Sequence, residues 1–188
     1  PGFEDANNFP TENDNLNIAP IKLWNNFIFC SVKSPISIDS IFDDISTRLK
    51  GYPFNDLVFD ESNSNIYAID AHWALYCENY LEGFHVPFLH KGLNNDIDLN
   101  SYTTELLDHG VLQYTKNKLD NRGYQVLDNG IYAYYYWIFP NLMLNFYNWG
   151  LSINIVEPLT KNKTRIKFLS FPFKGLSQPL NNPSSLDK

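Results

Sequence analysis

Hydrophobic and polar positions change period several times along the chain, and each change marks an element. Residues 1–17 mix Pro, Asn and acids without any period, which predicts a linker or arm over residues 1–20. From Ile21 to Val32 an apolar, β-branched and aromatic run broken by Asn25-Asn26 predicts a short hairpin. Ser34-Pro35 then offers a helix start, Ile38, Ile41, Phe42, Ile45 and Leu49 recur at helical spacing, and Gly51 ends the run. After a turn at Tyr52-Pro53, alternation from Leu57 to Asp70 predicts strand, divided by a polar hairpin turn at Glu61 to Asn65.

Between Trp73 and Phe84 the apolar positions Trp73, Tyr76, Cys77, Tyr80, Leu81 and Phe84 again follow a helical period, with Glu78 and Glu82 four apart as acids of buried character. Pro87 disfavours helical backbone at Val86, so this helix is expected to end at about His85 and hand over to a tight loop reaching His90. Asn94 to Asn100 is polar and reads as a mobile loop. Beyond it come five strand patterns, Gly110 to Tyr114, Ile131 to Phe139, Leu142 to Tyr147, Leu151 to Glu157 and Thr164 to Phe171, separated by turn signals such as Asn129-Gly130 and Lys161-Asn162-Lys163. The pattern predicts an α+β chain in which an antiparallel meander packs its concave face on the helix of residues 73–85, enclosing a pocket of Tyr, Trp and Phe. From Gly175 onward the pattern is loop-like.

Composition narrows what such a domain can do. With 188 residues, 44% hydrophobic and 16% aromatic, there is material for one sizeable core, which excludes disorder of the whole chain. Fourteen basic against twenty-one acidic side chains leave a net charge of −7, and no Lys/Arg cluster is present, so nucleic acid is excluded as a partner. No apolar run approaches the roughly 18 residues that span a bilayer, so a membrane is not an expected partner. Cys30 and Cys77 form neither a disulfide framework nor a CxxC pair, which predicts a reducing, cytoplasmic setting. The chain does not begin with Met, which reads as an internal fragment, a processed chain or an engineered start.

The candidate chemistry lies at His85 and His90. Five residues apart on an unbroken helix they would diverge by about 140°, but the break expected at Pro87 lets both imidazoles turn to one centre. Glu82, three residues before His85, is placed to accept a hydrogen bond from a ring nitrogen. Taken alone, a histidine pair at this spacing reads first as ordinary surface or core residues satisfied by hydrogen bonds. His72 and His109 read as structural or exposed, and Cys77 as a small buried hydrophobe.

The stretch Glu78-Asn79-Tyr80-Leu81-Glu82-Gly83-Phe84-His85-Val86-Pro87-Phe88-Leu89-His90 resembles the iron-binding motif of Rieske-type non-haem iron oxygenases, in the catalytic domain of their alpha subunit. Downstream, Tyr136 to Tyr147 and Trp149 to Asn154 resemble the strands that follow the iron helix in the choline- and carnitine-monooxygenase-like branch. The resemblance runs from about Leu23 to the end of the chain. It departs from the family at His72-Trp73-Ala74, where Asn-Trp-Lys is usual.

The resemblance implies a helix-grip (START/Bet v 1-like) fold, an antiparallel sheet curled around a long helix. It implies a mononuclear Fe(II) bound by His85, His90 and one later Asp, leaving positions open for O2 and substrate. Glu82 would be the bridging acid to the Rieske 2Fe-2S cluster of a neighbouring subunit. Glu there, rather than Asp, points to the branch that oxidises trimethylammonium compounds. Asn79, Trp137, Asn145 and Phe146 are candidate substrate-pocket residues. The expected reaction is hydroxylation, or oxidative demethylation or cleavage, of a small quaternary ammonium or aromatic substrate with O2. A reductase or ferredoxin supplies electrons in the family, whose members are often homotrimers.

A cluster needs CxH and CxxH pairs, which neither Cys30 nor Cys77 begins, so the cluster is expected on a separate N-terminal domain. Residues 21–188 would then be a partial catalytic domain lacking its C-terminal helix. Asp187 falls a few residues too early for the third iron ligand, which is expected beyond Lys188. On this reading the isolated chain is inactive. The competing reading is a helix-grip module that binds a small ligand without redox chemistry.

Overall fold

The computed structural model describes residues 2–31, 37–118 and 126–176. The expected helix start at Ser34-Pro35 and the end of the chain, Asp187 included, lie outside the described residues. Two compact units divide after Ser37. In the first, β1 (Ile21–Trp24) and β2 (Phe27–Cys30) pair antiparallel as the expected hairpin. Asn25 takes a positive φ of 48° at its turn, a conformation Asn tolerates better than most residues.

The second unit is built on a seven-stranded antiparallel sheet. Helix α1 (Asp39–Arg48) buries Ile41, Phe42 and Ile45, the face its spacing predicts. Gly51, at φ 88°, turns the chain back so that the Tyr52 N–H meets the Leu49 carbonyl at 2.9 Å. The strands are β3 (Asp60–Ile69), β4 (Ile97–Leu107), β5 (Gly110–Asn117), β6 (Ile131–Ile138), β7 (Leu142–Tyr147), β8 (Gly150–Thr160) and β9 (Lys163–Pro172). Their order is β3-β9-β8-β7-β6-β5-β4, so strands five to nine form the expected meander, β4 extends it beyond β5, and β3 joins the other edge beside β9. The antiparallel helix-grip class implied by the sequence is the fold observed.

Three local expectations are corrected. The polar stretch Glu61 to Asn65 is no hairpin turn: Asp60 pairs with Ser170 and Asn65 with Phe168, so the extra residues form a bulge inside one strand. Its loop is tied by the Asp60 carboxylate, which accepts from the Ser62 hydroxyl at 2.6 Å and the Asn63 amide at 2.7 Å. Asn94 to Asn100 is ordered as the end of α4 (Lys91–Asp96) and the start of the edge strand β4. Ser101 and Thr115 fasten that edge by donating to the Asp98 carbonyl, each at 2.8 Å. Finally, the helix expected over residues 73–85 is α2 (Trp73–Tyr80) alone, followed by a turn and then by α3 (Val86–Leu89).

Strand alternation sends two sets of side chains to opposite faces of the sheet. On one face Tyr136 and Phe146 are fully buried, and α1 is tied there by the Tyr136 hydroxyl donating to Asp44 at 2.8 Å. Arg48 of α1 bonds both Asp44 and Glu105 and stands 5.7 Å over the Tyr114 ring. On the other face Cys77 of α2 packs into Met143, Val156 and Ile166, flanked by Trp73 and Trp137. This second face carries the candidate site.

Candidate functional site

Helix α2 ends where its backbone bonds run out: the Leu81 N–H reaches the Cys77 and Glu78 carbonyls, and nothing continues the ladder. The Glu82 carboxylate takes over. Its Oε2 accepts from the backbone N–H groups of Phe84 at 2.5 Å and His85 at 3.2 Å, while its Oε1 meets His85 Nδ1 at 2.5 Å. These contacts satisfy free donors at the start of α3, where His85 is the N-cap and Pro87 lies in the first turn. Pro87 therefore opens a helix instead of closing one, because a first-turn residue has no N–H obligation to lose. The turn is pressed against β4: a Cβ at Gly83 would lie 3.2 Å from Tyr102 Cζ.

This broken path brings both imidazoles side by side on one cavity. The His85 and His90 rings have centroids 5.0 Å apart and planes at 73°. With metal–nitrogen bonds of about 2 Å, two imidazoles meeting at one ion at roughly a right angle have ring centres about 4.5–5 Å apart. In separation the pair matches two adjacent ligand positions. Glu82 engages His85 through Nδ1, so Nε2 is the ring nitrogen turned away from that carboxylate. Burial pushes the Glu82 carboxyl up, but the bonds from the His85 ring and from the Phe84 and His85 N–H groups prevail and hold it below the usual range. Among the described residues no group of three or more His, Cys, Asp and Glu is gathered closely enough to hold a metal ion. Two imidazoles with an acid behind one suit a divalent ion of intermediate softness such as Fe(II).

The histidines sit at the edge of a cavity of about 140 Å³, similar in size to engineered cavities of about 150 Å³ that admit benzene. Glu82, His85, His90, Asn79 and Asn145 all line it. Trp137 and Phe146 do not. Trp137 belongs to the cluster around Cys77, and Phe146 lies on the opposite face of the sheet, edge-on to Tyr52 and Tyr136. Asn145 faces the cavity, so its strand neighbour Phe146 must face away. Glu78 is exposed rather than buried. His72 caps α2, its Nδ1 accepting from the Ala74 N–H at 3.3 Å, and His109 sits at φ 63° in the turn between β4 and β5.

Five tyrosines line the cavity: Tyr76, Tyr80, Tyr102, Tyr135 and Tyr147. Burial pushes the Tyr80 and Tyr135 phenols well above their ordinary value, and it carries Tyr102 up to about 12, with the Glu82 charge adding to the shift. A polar row crosses the sheet floor, since Gln113, Tyr135, Asn145 and Ser152 stand directly opposite one another on β5 to β8. Gln113 donates to the Tyr80 carbonyl at 2.9 Å and accepts from the Tyr102 hydroxyl at 2.8 Å. Asn145 accepts from the Tyr80 hydroxyl at 2.7 Å and donates to Ser152 at 3.1 Å. Of this row only Asn145 was a sequence-level candidate. For Ser152 a signal was present in β8, where Ser152 and Asn154 are polar at alternate positions between Leu151, Ile153 and Ile155.

Residues 54–175 match the family model for the ring hydroxylating alpha subunit (catalytic domain). The chloroplastic choline monooxygenase of Arabidopsis thaliana is 36% identical over 105 residues, covering 54% of this chain and 24% of that protein. That of Beta vulgaris is 27% identical over 164 residues, or 80% of this chain and 35% of the relative. The chain thus spans between a quarter and about a third of the length of these relatives. Among solved structures, the quaternary ammonium Rieske monooxygenase CntA superposes with a TM-score of 0.69 at 15% identity, over 85% of this chain and 43% of that one. Naphthalene 1,2-dioxygenase from Rhodococcus sp. gives 0.59 at 15% identity, over 94% and 51%. At such identities the likeness is one of fold. No described helix is long and apolar enough to cross a membrane.

Proposed function

The chain belongs to the family of ring hydroxylating alpha subunits, as a Rieske oxygenase catalytic domain, and from that premise we propose that it oxidises a small quaternary ammonium substrate with O2 at a mononuclear Fe(II) centre. The observation that carries the reading is the convergence of the His85 and His90 rings, 5.0 Å apart, on a cavity walled by tyrosine. Iron bound there would supply the centre at which O2 is activated beside the substrate. His85 and His90 would hold it, and a carboxylate from outside the described residues would complete the protein ligands.

The chain's own residues supply orientation and surroundings. Glu82 fixes the His85 ring so that Nε2 remains the coordinating nitrogen. The same carboxylate is one-third exposed, and it is the acid through which electrons from a Rieske cluster on a neighbouring subunit would reach the His85 side of the site. The tyrosine ring faces attract a quaternary ammonium head that no hydrogen-bond acceptor can hold, and relatives named for choline oxidation support that class. With no CxH or CxxH pair in the sequence the chain holds no Rieske cluster of its own. It depends on a cluster-bearing segment and a reductase or ferredoxin, and by itself it does not turn over.

Anaerobic titration with Fe(II), read by calorimetry and metal analysis, tests the centre. Wild-type chain is expected to bind a single equivalent, and His85→Ala and His90→Ala are each expected to bind at least about tenfold more weakly. Equal binding by the variants would overturn the assignment. When a Rieske-cluster protein and its reductase are supplied, O2 uptake should rise on adding a quaternary ammonium compound. A ligand that binds the cavity and never stimulates O2 uptake would favour the non-catalytic binding module.

A further inference from the structure

The polar floor of the cavity is hydrogen-bonded almost throughout, and its exceptions are specific. Gln113 and Asn145 have both ends of their amides paired within the protein. Two cavity-lining side chains do not: the Tyr135 hydroxyl and Asn154 Oδ1 are buried and have no hydrogen-bond partner. Asn154 is 6% exposed, and its Nδ2 is already used, donating to the Tyr76 hydroxyl at 3.3 Å. Tyr76 is engaged in turn with the Tyr67 hydroxyl at 3.1 Å, so the amide is held with its oxygen left over. Leaving a buried polar atom unpaired costs stability, and such atoms call for an explanation in their surroundings.

We propose that Tyr135 and Asn154 are specificity-determining residues that recognise a hydroxyl or N–H substituent on the ligand. The proposal rests on the preceding reading only in taking this cavity as the ligand site. Asn154 Oδ1 can only accept, so its partner must donate an O–H or N–H, while the Tyr135 hydroxyl can donate or accept. A ligand hydroxyl meets either demand. A quaternary ammonium head has no proton to give and a plain hydrocarbon has neither function, so the recognised group lies elsewhere on the ligand than the head the tyrosine rings would hold. A ligand lacking it strands both polar atoms in a drier cavity, which makes the discrimination larger than one hydrogen bond gained.

Two pairs of probes, each differing in a hydroxyl, test this on the full chain by calorimetry: phenol against toluene, and choline against propyltrimethylammonium. The hydroxyl-bearing member of a pair is expected to bind about tenfold more tightly or better. In Tyr135→Phe, and separately in Asn154→Leu, that ratio should fall toward one while affinity for the hydroxyl-free probe holds or rises. Without ligand, Tyr135→Phe should melt at the same temperature as wild type or higher, because it removes an unpaired hydroxyl. A wild-type chain that binds no probe, or that binds both members of a pair equally tightly, overturns the proposal. So does a Tyr135→Phe chain that keeps the ratio, or one that melts well below wild type. If phenol is preferred over toluene and neither cation binds, the recognition role stands and the quaternary ammonium reading falls.

Discussion

At Glu82 a single carboxylate serves two structures. One oxygen closes the turn that starts α3 and the other grips the His85 ring. Glu82→Gln separates these roles, because the amide oxygen can still accept from the two backbone N–H groups while the negative charge behind the imidazole is gone. Circular dichroism should show an unchanged fold, and Fe(II) affinity should fall about tenfold to a hundredfold, as for other acids that orient a ligating histidine. Unchanged affinity would reduce Glu82 to a turn cap. Glu82, His85 and His90 could be picked out from sequence because their spacing is local and the chain need only turn once to gather them. Tyr135 and Asn154 could not, since their meaning depends on which neighbours are already paired. Periodicity carries no information about an unused lone pair.

Among the elements, strands were more legible than the helix breaks. Alternation in β9 is visible in the sequence and is matched by burial at Ile166, Phe168 and Ser170. The apolar period of residues 73–84 also exists in the sequence, but the helix stops at Tyr80 because Glu82 offers the backbone a better partner than another turn would. Periodicity records which side chains want burial and is silent on such local competition. Edge strand β4 was missed for a related reason, since besides its ladder with β5 it is fastened by polar bonds among Ser101, Thr115 and Asp98 that leave no apolar alternation to read. On the opposite face, α1 is held by its apolar stripe and by the bond from the Tyr136 hydroxyl to Asp44. Tyr136→Phe keeps the ring and deletes that bond, so chemical denaturation should show a loss of about 1 kcal/mol. A larger loss would mean that the Arg48 network depends on Tyr136 for its placement.

For the sheet unit as a whole, tyrosine sets the alkaline limit of stability. Of the eleven described tyrosines, nine are shifted above their ordinary value, and burial is the first cause at every one. The composition made this abundance plain, but not which rings lose water, because that depends on the pairing of strands far apart in sequence. An unfolded phenol ionises near about 10, whereas Tyr102 in the fold is carried up to about 12 and Tyr52, Tyr80 and Tyr135 go well above the ordinary value. Above the unfolded value the unfolded chain therefore binds fewer protons than the folded one. Stability is then complete below about pH 10 and falls as pH rises through the folded values. The net charge of −7 grows more negative over the same range and works in the same direction. An alkaline titration following tyrosinate absorbance and far-ultraviolet circular dichroism together should show most phenols ionising in one steep step that coincides with loss of the sheet. Smooth ionisation of all twelve near pH 10 with the sheet signal intact would mean that these rings are in contact with water and that the cavity they wall is open to solvent.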